Sequence, residues 1–311
     1  FALLRPAFLN VDLTLIPIQG DISVFAVVGI AQLCVLSLGH MNLAVGRIAA
    51  VSAFATALVC DRGAPLWLGL VVGLIVGAGI GALAGWTIAA TGVNSFIVTL
   101  ALDFALLGLV ALLYSWFTES GIAFSAQPAG LGALQGGTLR DDCVAGLCGP
   151  PVPLVVLFAI AAVAIAGLVF SRLRLGRELL MTGSSLRAAE LSGIAVSRRI
   201  VQAHAMSGCF AALGGFLLAV NNGAITADIG NQFLLPSFLS PVLGGTALAG
   251  GAVSVIGNVL GAGLTEVIQK GLNLLQFSAD ELQILIGVVL LAALSLDRVR
   301  HVLAERQASR V

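Results

Sequence analysis

The chain is poor in charge. Only 10% of its 311 residues are Asp, Glu, Lys or Arg, whereas 59% are hydrophobic and the mean hydropathy is +1.08. Soluble domains rarely have such a composition, and repeated apolar runs of about 20 residues are typical of membrane-spanning helices. The low charge therefore argues against a soluble protein. It predicts an all-α, polytopic membrane bundle that forms a single transmembrane domain over residues 1–311.

Patterns for catalysis and nucleotide binding are missing. The sequence has no GxxxxGK[ST] loop to bind the phosphates of ATP, and no GxSxG or HExxH pattern of a hydrolase. Its cysteines have no further ligands nearby that would complete a zinc site, and its arginines are not interleaved with aromatic residues. We predict no catalytic residues, no metal site and no nucleic-acid partner.

Apolar runs follow one another along the chain. Nine are predicted to span the membrane, at 21–38, 47–60, 66–90, 94–115, 152–171, 203–220, 235–249, 252–275 and 281–297. The opening segment, FALLRPAFLN, is too short to cross. It is expected to be the outer end of a further helix, which gives about ten helices; an amphipathic surface segment is the alternative.

A polar segment from Ser171 to Gln202 interrupts the apolar runs. It carries six of the 15 basic residues, all arginines, and only two acids. Short arginine-rich loops stay on the cytoplasmic side. We therefore place loop 171–202 and the arginine-rich C-terminal tail in the cytoplasm, and the glycine-rich loop 116–150 outside. The middle of the polar segment, 184–191, is predicted to be a short helix with a serine N-cap.

The predicted outer loop contains two cysteines. Cys143 and Cys148 have four residues between them on the oxidising side of the membrane, where they could close a small disulfide. Two free thiols are the alternative.

Glycine recurs at every fourth residue in two of the predicted spans. Such spacing lets helices approach closely in lipid, so packing is the main interpretation and a sliding interface the alternative. The glycines are Gly73, Gly77, Gly81 and Gly85 in one span, and Gly257 and Gly261 in the other.

Two glycine-rich turns resemble each other. LGHMNLAVG at 38–46 and LGGTALAGG at 243–251 share five identities in nine positions. Irregular segments at matching places in two halves are typical of a translocation pathway. Chance similarity between segments rich in Gly, Ala and Leu is the alternative.

Three segments resemble a known family, the ribose-type ABC importer permeases. Residues 177–223 are similar to the family's coupling loop and following helix, in which N-P-E-A-A-R-L-S-G-I is usual. Residues 243–275 and VNSFIVTL at 93–100 resemble two further blocks. The resemblance implies a type II-like ABC importer permease with two pseudo-repeated halves. Departures include Asn42 where Asp is usual, Glu190 where Arg is common, and Leu107 where an Arg is often found.

The resemblance also implies a function and partners. It implies import of a small polar solute, in particular a monosaccharide, by a permease in the bacterial inner membrane whose C-terminus is cytoplasmic. A second permease, identical or similar, two cytoplasmic ATP-binding subunits that hold ATP and Mg, and an external solute-binding protein would complete the transporter. This chain would hold no cofactor. Nucleosides, branched-chain amino acids or a sugar-derived signal are alternative solutes; a passive channel or an intramembrane enzyme is the alternative class.

The short helix of the polar segment is predicted to dock on the ATPase. Leu186, Ala189 and Leu191 are expected to make apolar contacts there, with Arg187 and Glu190 at the rim. A solvated loop that only sets topology is the alternative. The full predicted coupling set is Ser184, Leu186, Arg187, Ala188, Ala189, Glu190, Leu191 and Gly193.

Polar residues inside apolar spans are candidates for the solute path, because they are costly in lipid. The predicted path residues are Asn42, Asn94, Asp103 and Asn258. For Asp103 the alternatives are structural pairing and a protonated acid shielded from lipid, and the alternative for the asparagines is that they satisfy broken backbone. Glu266 and Lys270, four residues apart, are expected to pair on one helix.

Overall fold

The computed structural model describes residues 10–119, 121–124, 128, 130–137 and 152–276, together with positions 281, 284, 287, 288 and 291. These residues are almost entirely helices and turns, which confirms the predicted all-α bundle. Cys143, Cys148, most of the ninth predicted span and the C-terminal tail lie outside the described residues.

The helices agree with most of the predicted spans. They are α1 Ile16–Leu36, α2 Val45–Asp61, α3 Leu66–Thr91, α4 Ser95–Phe117, α5 Leu131–Gly136, α6 Leu154–Ser171, α7 Arg174–Ser184, α8 Leu186–Leu191, α9 Val196–Asn222, α10 Leu234–Leu243 and α11 Val255–Leu274. Five of them, α1, α3, α4, α6 and α9, are long and apolar enough to cross a membrane. α1 begins at Ile16 rather than at the predicted residue 21, and a π-helical turn, Val11–Leu15, precedes it.

The predicted span at 235–249 is wrong in its length. α10 stops at a glycine turn in which Gly245 has a φ of +83°, a conformation that favours glycine. Before α10, residues 223–233 are irregular, although Ile229 and Phe233 are at most 2% exposed. This part of the chain therefore enters the protein as an irregular segment and continues as a short helix.

The polar segment at 171–202 contains two helices rather than one. α7 buries Gly176, Leu179 and Thr182 against the bundle, and α8 follows directly. The last turn of α7 contacts the chain just after α1, since a methyl group at Gly183 would overlap the carbonyl oxygen of Ser37. We call this end of the bundle the α8 end.

α1 and α9 form the centre of the bundle. About 83% and 78% of their most apolar windows are buried, against 22% for α3 and 17% for α4. α3 packs along α9 through the predicted glycine spacing, because a methyl group at Gly77, Gly81 or Gly85 would overlap atoms of α9. The packing interpretation of these glycines is therefore confirmed, and the sliding interface stays a prediction.

The two similar glycine-rich turns also meet in space. The amide of Gly251 donates to the carbonyl of Ser37 at 3.0 Å. Gly39 and Gly250, with φ values of +73° and +89°, lie so close that a methyl group on either would overlap the other turn. The sequence repeat thus corresponds to a pair of touching turns at the α8 end.

Candidate coupling surface and solute path

α8 is a capped and well-defined short helix. The Oγ of Ser185 accepts a hydrogen bond from the amide of Ala188 at 3.3 Å, which is the predicted serine N-cap. Ser184, the other serine, donates its hydroxyl to the carbonyl of Met181 at 2.9 Å. At the opposite terminus Gly193 has a φ of +76° and turns the chain towards α9.

The side chains of α8 divide into an exposed and a buried set. Leu186 and Leu191 are 54% and 84% exposed, and Arg187 and Glu190 are exposed beside them. Ala189 is fully buried. The prediction that Ala189 contacts an ATPase is therefore corrected, because a six-residue helix lying on the bundle turns one side inwards. The other predicted apolar contacts remain available.

A salt bridge braces the elements on either side of α8. The Nε of Arg199 on α9 donates to Oε2 of Glu178 on α7 at 2.6 Å, and Nη2 of the same arginine lies 2.5 Å from that oxygen. Arg199 also donates to Gln202 one turn further along α9. α8 is consequently held between two helices that are fixed to each other.

The last turn of α7, which leads into α8, contacts both glycine-rich turns. A methyl group at Gly183 would overlap the carbonyl of Ser37 and the amide of Gly251, and one at Gly251 would overlap the backbone of Ser184. One of these turns leads into α2 and the other into α11. The residues that directly precede α8 therefore touch the segments leading into two helices.

The segment between α1 and α2 is attached to α4. The amide of Met41 donates to the Oγ of Ser95 at 3.1 Å, and the amide of Leu43 donates to the Oγ1 of Thr99 at 3.2 Å. Ser95 and Thr99 are four residues apart and so lie on one face of α4. These bonds satisfy backbone groups that no helix satisfies here.

Asn42 lies on the other side of the same segment, against α9. Its Nδ2 donates to the Oγ of Ser207 at 2.9 Å, and its Oδ1 accepts from the amide of Ala44 at 3.1 Å. Next to it, Nδ1 of His40 is 3.4 Å from Nε2 of His204. With Asn42 only 1% exposed, these contacts support its alternative role in satisfying broken backbone; its place on the path stays a prediction.

Asp103 belongs to a group of four polar side chains. Its Oδ1 lies 3.8 Å from Nε of Arg47. Arg47 also donates to Oδ1 of Asn231, whose Nδ2 donates to Oδ1 of Asp228 at 3.0 Å. We call Arg47, Asp103, Asp228 and Asn231 the polar cluster. The side chains of Arg47 and Asp103 are 19% and 26% exposed, and the other two residues are exposed.

The polar cluster lies within the apolar span of α4 rather than at its end. Asp103 is eight residues beyond Ser95, the first residue of this 23-residue helix. At 1.5 Å per residue it is about 12 Å along a helix that is about 35 Å long. Charged groups at such a depth are expensive in hydrocarbon and normally face protein or water. The surface around the polar cluster is therefore unsuited to lipid.

The remaining predicted path residues lie elsewhere. Asn94 is exposed and caps α4, with Oδ1 accepting from the amide of Phe96 at 2.9 Å. Asn258 is fully buried; its Nδ2 donates to the carbonyl of Ala26 at 2.8 Å, and its Oδ1 has no partner among the described residues. Only Asp103 of the predicted path residues joins the polar cluster.

One predicted ion pair is wrong. Nζ of Lys270 lies 3.9 Å from a carboxylate oxygen of Asp21 on α1. The predicted partner, Glu266, instead accepts from the side-chain amide of Gln269 at 3.4 Å. Packing of α11 against α1 thus overrides the spacing of charges along α11.

Three members of the polar cluster were not predicted from the sequence. Arg47 has a usable signal, since it is the only Asp, Glu, Lys or Arg between Asp21 and Asp61. Asp228 and Asn231 have none, because they stand in a polar connection that reads as an ordinary loop. Only the folded structure brings this connection next to Arg47, which donates to Asn231.

Comparison with known proteins identifies the class. Residues 15–294 match the family model described as "Branched-chain amino acid transport system / permease component". The chain belongs to this family. The matched range includes all eleven helices listed above, so it covers α8 and the polar cluster. The predicted permease family is thereby confirmed, and the chain is a transport permease subunit and an integral membrane protein.

Individual relatives cover nearly the whole chain. The autoinducer 2 import system permease protein LsrD of Salmonella typhimurium is 29% identical over 274 residues, which are 88% of this chain and 80% of the relative. The D-allose transport system permease protein AlsC of Escherichia coli is 27% identical over 288 residues, 92% of this chain and 83% of the relative. No solved structure gives a significant match.

Proposed function

We propose that this chain is the permease subunit of an ATP-driven ABC importer that takes up a small polar solute, in particular a monosaccharide. The observation that carries the proposal is α8, a capped helix that exposes Leu186 and Leu191 and directly follows the last turn of α7, which contacts the turns leading into α2 and α11. The similarity to permeases named for autoinducer 2 and D-allose supports a sugar-like solute. The family description supports a branched-chain amino acid as the second candidate.

In this proposal two cytoplasmic ATP-binding subunits supply the energy and bind the ATP and Mg, while this chain holds no cofactor. α8 inserts into a groove of one such subunit through Leu186 and Leu191, with Arg187 and Glu190 at the rim. When the ATPases close, α8 moves as a rigid body with α7 and α9, which the Glu178–Arg199 salt bridge ties to each other. The glycine-rich turns then carry the movement into the membrane.

A second permease subunit, identical or similar, covers the polar cluster in the complete transporter. The cluster presents charged groups within the span of α4, where contact with lipid is unfavourable. A second permease packed against this surface, with a water-filled path between the two subunits, removes that cost. The solute path then runs along the irregular segment 223–233, as is usual for broken segments in transporters.

The arginines support an orientation. Arg172, Arg174, Arg177, Arg187 and Arg198 are all exposed, and they belong to the polar segment that contains α8. Basic loops face the cytoplasm, so we place the α8 end and the C-terminus on that side of a bacterial inner membrane. The external solute-binding protein then contacts the opposite end.

Uptake by the complete transporter tests the proposal. This chain, a second permease, the ATPase subunits and the binding protein are reconstituted in proteoliposomes, and uptake of labelled D-allose, D-ribose and L-leucine is measured. We expect a sugar to accumulate against its gradient only with hydrolysable ATP and the binding protein. Preferential uptake of leucine would favour the second candidate. Equilibration without ATP would identify a passive channel instead.

A further inference from the structure

We propose that the polar cluster is a contact site for the solute within the membrane, and that it admits uncharged polyols and excludes anions. The inference rests on the proposed function, because it takes the solute path to run along this surface. Beyond that function, it names the residues that contact the solute and the solute charge that they exclude.

The polar cluster offers neighbouring donors and acceptors. Arg47 has five N–H donors, of which the contacts with Asn231 and Asp103 occupy only part. The carboxylate of Asp228 accepts one bond from Asn231 at 3.0 Å and keeps further lone pairs at an exposed position. A sugar hydroxyl both donates and accepts, so adjacent hydroxyls can bond a carboxylate and a guanidinium side by side.

The charge balance of the polar cluster disfavours an anion. It contains one guanidinium and two carboxylates, and the guanidinium is already engaged on both sides. A phosphate, or the carboxylate of an amino acid, would meet two like charges and a guanidinium whose positive charge Asp103 already balances. An uncharged polyol meets no such repulsion.

Partial exposure suits a passage site. The side chain of Arg47 is 19% exposed and that of Asp103 is 26% exposed, so a solute touches them along one side only. Transport requires contacts that are favourable enough for entry and weak enough for release. A few one-sided hydrogen bonds meet both conditions.

The test compares variants of the complete transporter with one and the same binding protein, so that differences arise in the permease. The probes are D-allose and D-ribose, with their 6- and 5-phosphates as anionic counterparts. We expect Asp228→Asn and Asn231→Ala to lower the maximal uptake of the transported sugar about fivefold. We expect Asp228→Lys to raise the ratio of phosphorylated to free sugar uptake about fivefold. Asp61→Asn, an exposed acid at the far end of α2, should change neither.

Failure of the solute-contact site and failure of the proposed function give different results. If the wild-type transporter takes up sugar with ATP but all three cluster variants match it, the solute-contact site is overturned and the proposed function stands. If the wild type shows no ATP-driven uptake of either sugar, the proposed function fails and this inference fails with it. Assembly with the ATPase subunits, checked by co-purification, shows that the variants fold.

Discussion

The Nε of Arg47 lies 3.8 Å from the carboxylate of Asp103, and the two residues stand on different helices, α2 and α4. An unpaired charge on either helix would be costly within an apolar span, and the contact between the two reduces that cost. Because Arg47 also donates to Asn231, one side chain connects α2, α4 and the irregular segment before α10. The position of that segment thus depends on an interaction between residues far apart in sequence.

Replacing Arg47 with Gln should lower the free energy of unfolding by about 1–3 kcal/mol. Removing one partner of a fully buried pair costs about 3–5 kcal/mol, and the partial exposure of this pair reduces the loss. Asp103→Asn in the same chain should recover part of it, because no unpaired carboxylate is left. Thermal unfolding in detergent measures both variants. Arg62→Gln, at an exposed site, is the control, and strictly additive losses would contradict the pairing.

The double variant Arg187→Glu with Leu191→Asp should abolish most ATPase association while insertion into the membrane stays normal. Leu191 is 84% exposed, so its replacement removes apolar contact area from a partner and little from the bundle. Co-purification of the ATPase subunits and ATP-driven uptake are the measurements. Met181→Asp on α7, also exposed, is the matched control for a charge added at this end. Normal association of the double variant would remove α8 as the docking element.

Helix positions follow from the sequence where apolar runs are long and uninterrupted. α3 at Leu66–Thr91 agrees with the predicted 66–90, and α4 at Ser95–Phe117 agrees with 94–115. The predicted span at 235–249 is too long, because α10 ends at Leu243. The apolar residues of a buried helix and of a buried irregular segment give the same hydropathy signal. The deciding factor there is backbone geometry at glycine, which composition does not reveal.

The two parts of the candidate site, α8 and the polar cluster, also differ in how far the sequence predicts them. The limits of α8 were predictable because its cap, Ser185, and its exposed charges are local features. The polar cluster was not, since Arg47, Asp103 and Asn231 are separated by more than 50 residues and only tertiary packing brings them together. Burial of Ala189 is likewise a tertiary effect, set by which side of a very short helix meets the bundle.

Gly183→Ala should uncouple ATP hydrolysis from uptake. The added methyl group would overlap the carbonyl of Ser37 and the amide of Gly251, and so would push the last turn of α7 away from both glycine-rich turns. Given the proposed coupling, we expect the amount of solute moved per ATP to fall about tenfold while ATPase assembly persists. Gly167→Ala on α6, where the methyl group meets nothing within 4 Å, is the control. An unchanged ratio would mean that movement bypasses this turn.

Gly81→Ala and Gly79→Ala form a matched pair on α3. A methyl group at Gly81 would overlap the carbonyl oxygen of His204 and force α3 away from α9, whereas one at Gly79 meets nothing within 4 Å. Overpacking of this kind costs about 1–3 kcal/mol, while alanine in a helix is favoured over glycine by up to about 1 kcal/mol. We therefore expect the unfolding temperature in detergent to fall for Gly81→Ala and to stay or rise for Gly79→Ala. Equal shifts would mean that the close approach of α3 to α9 does not determine stability, and that the glycine spacing serves movement instead of packing.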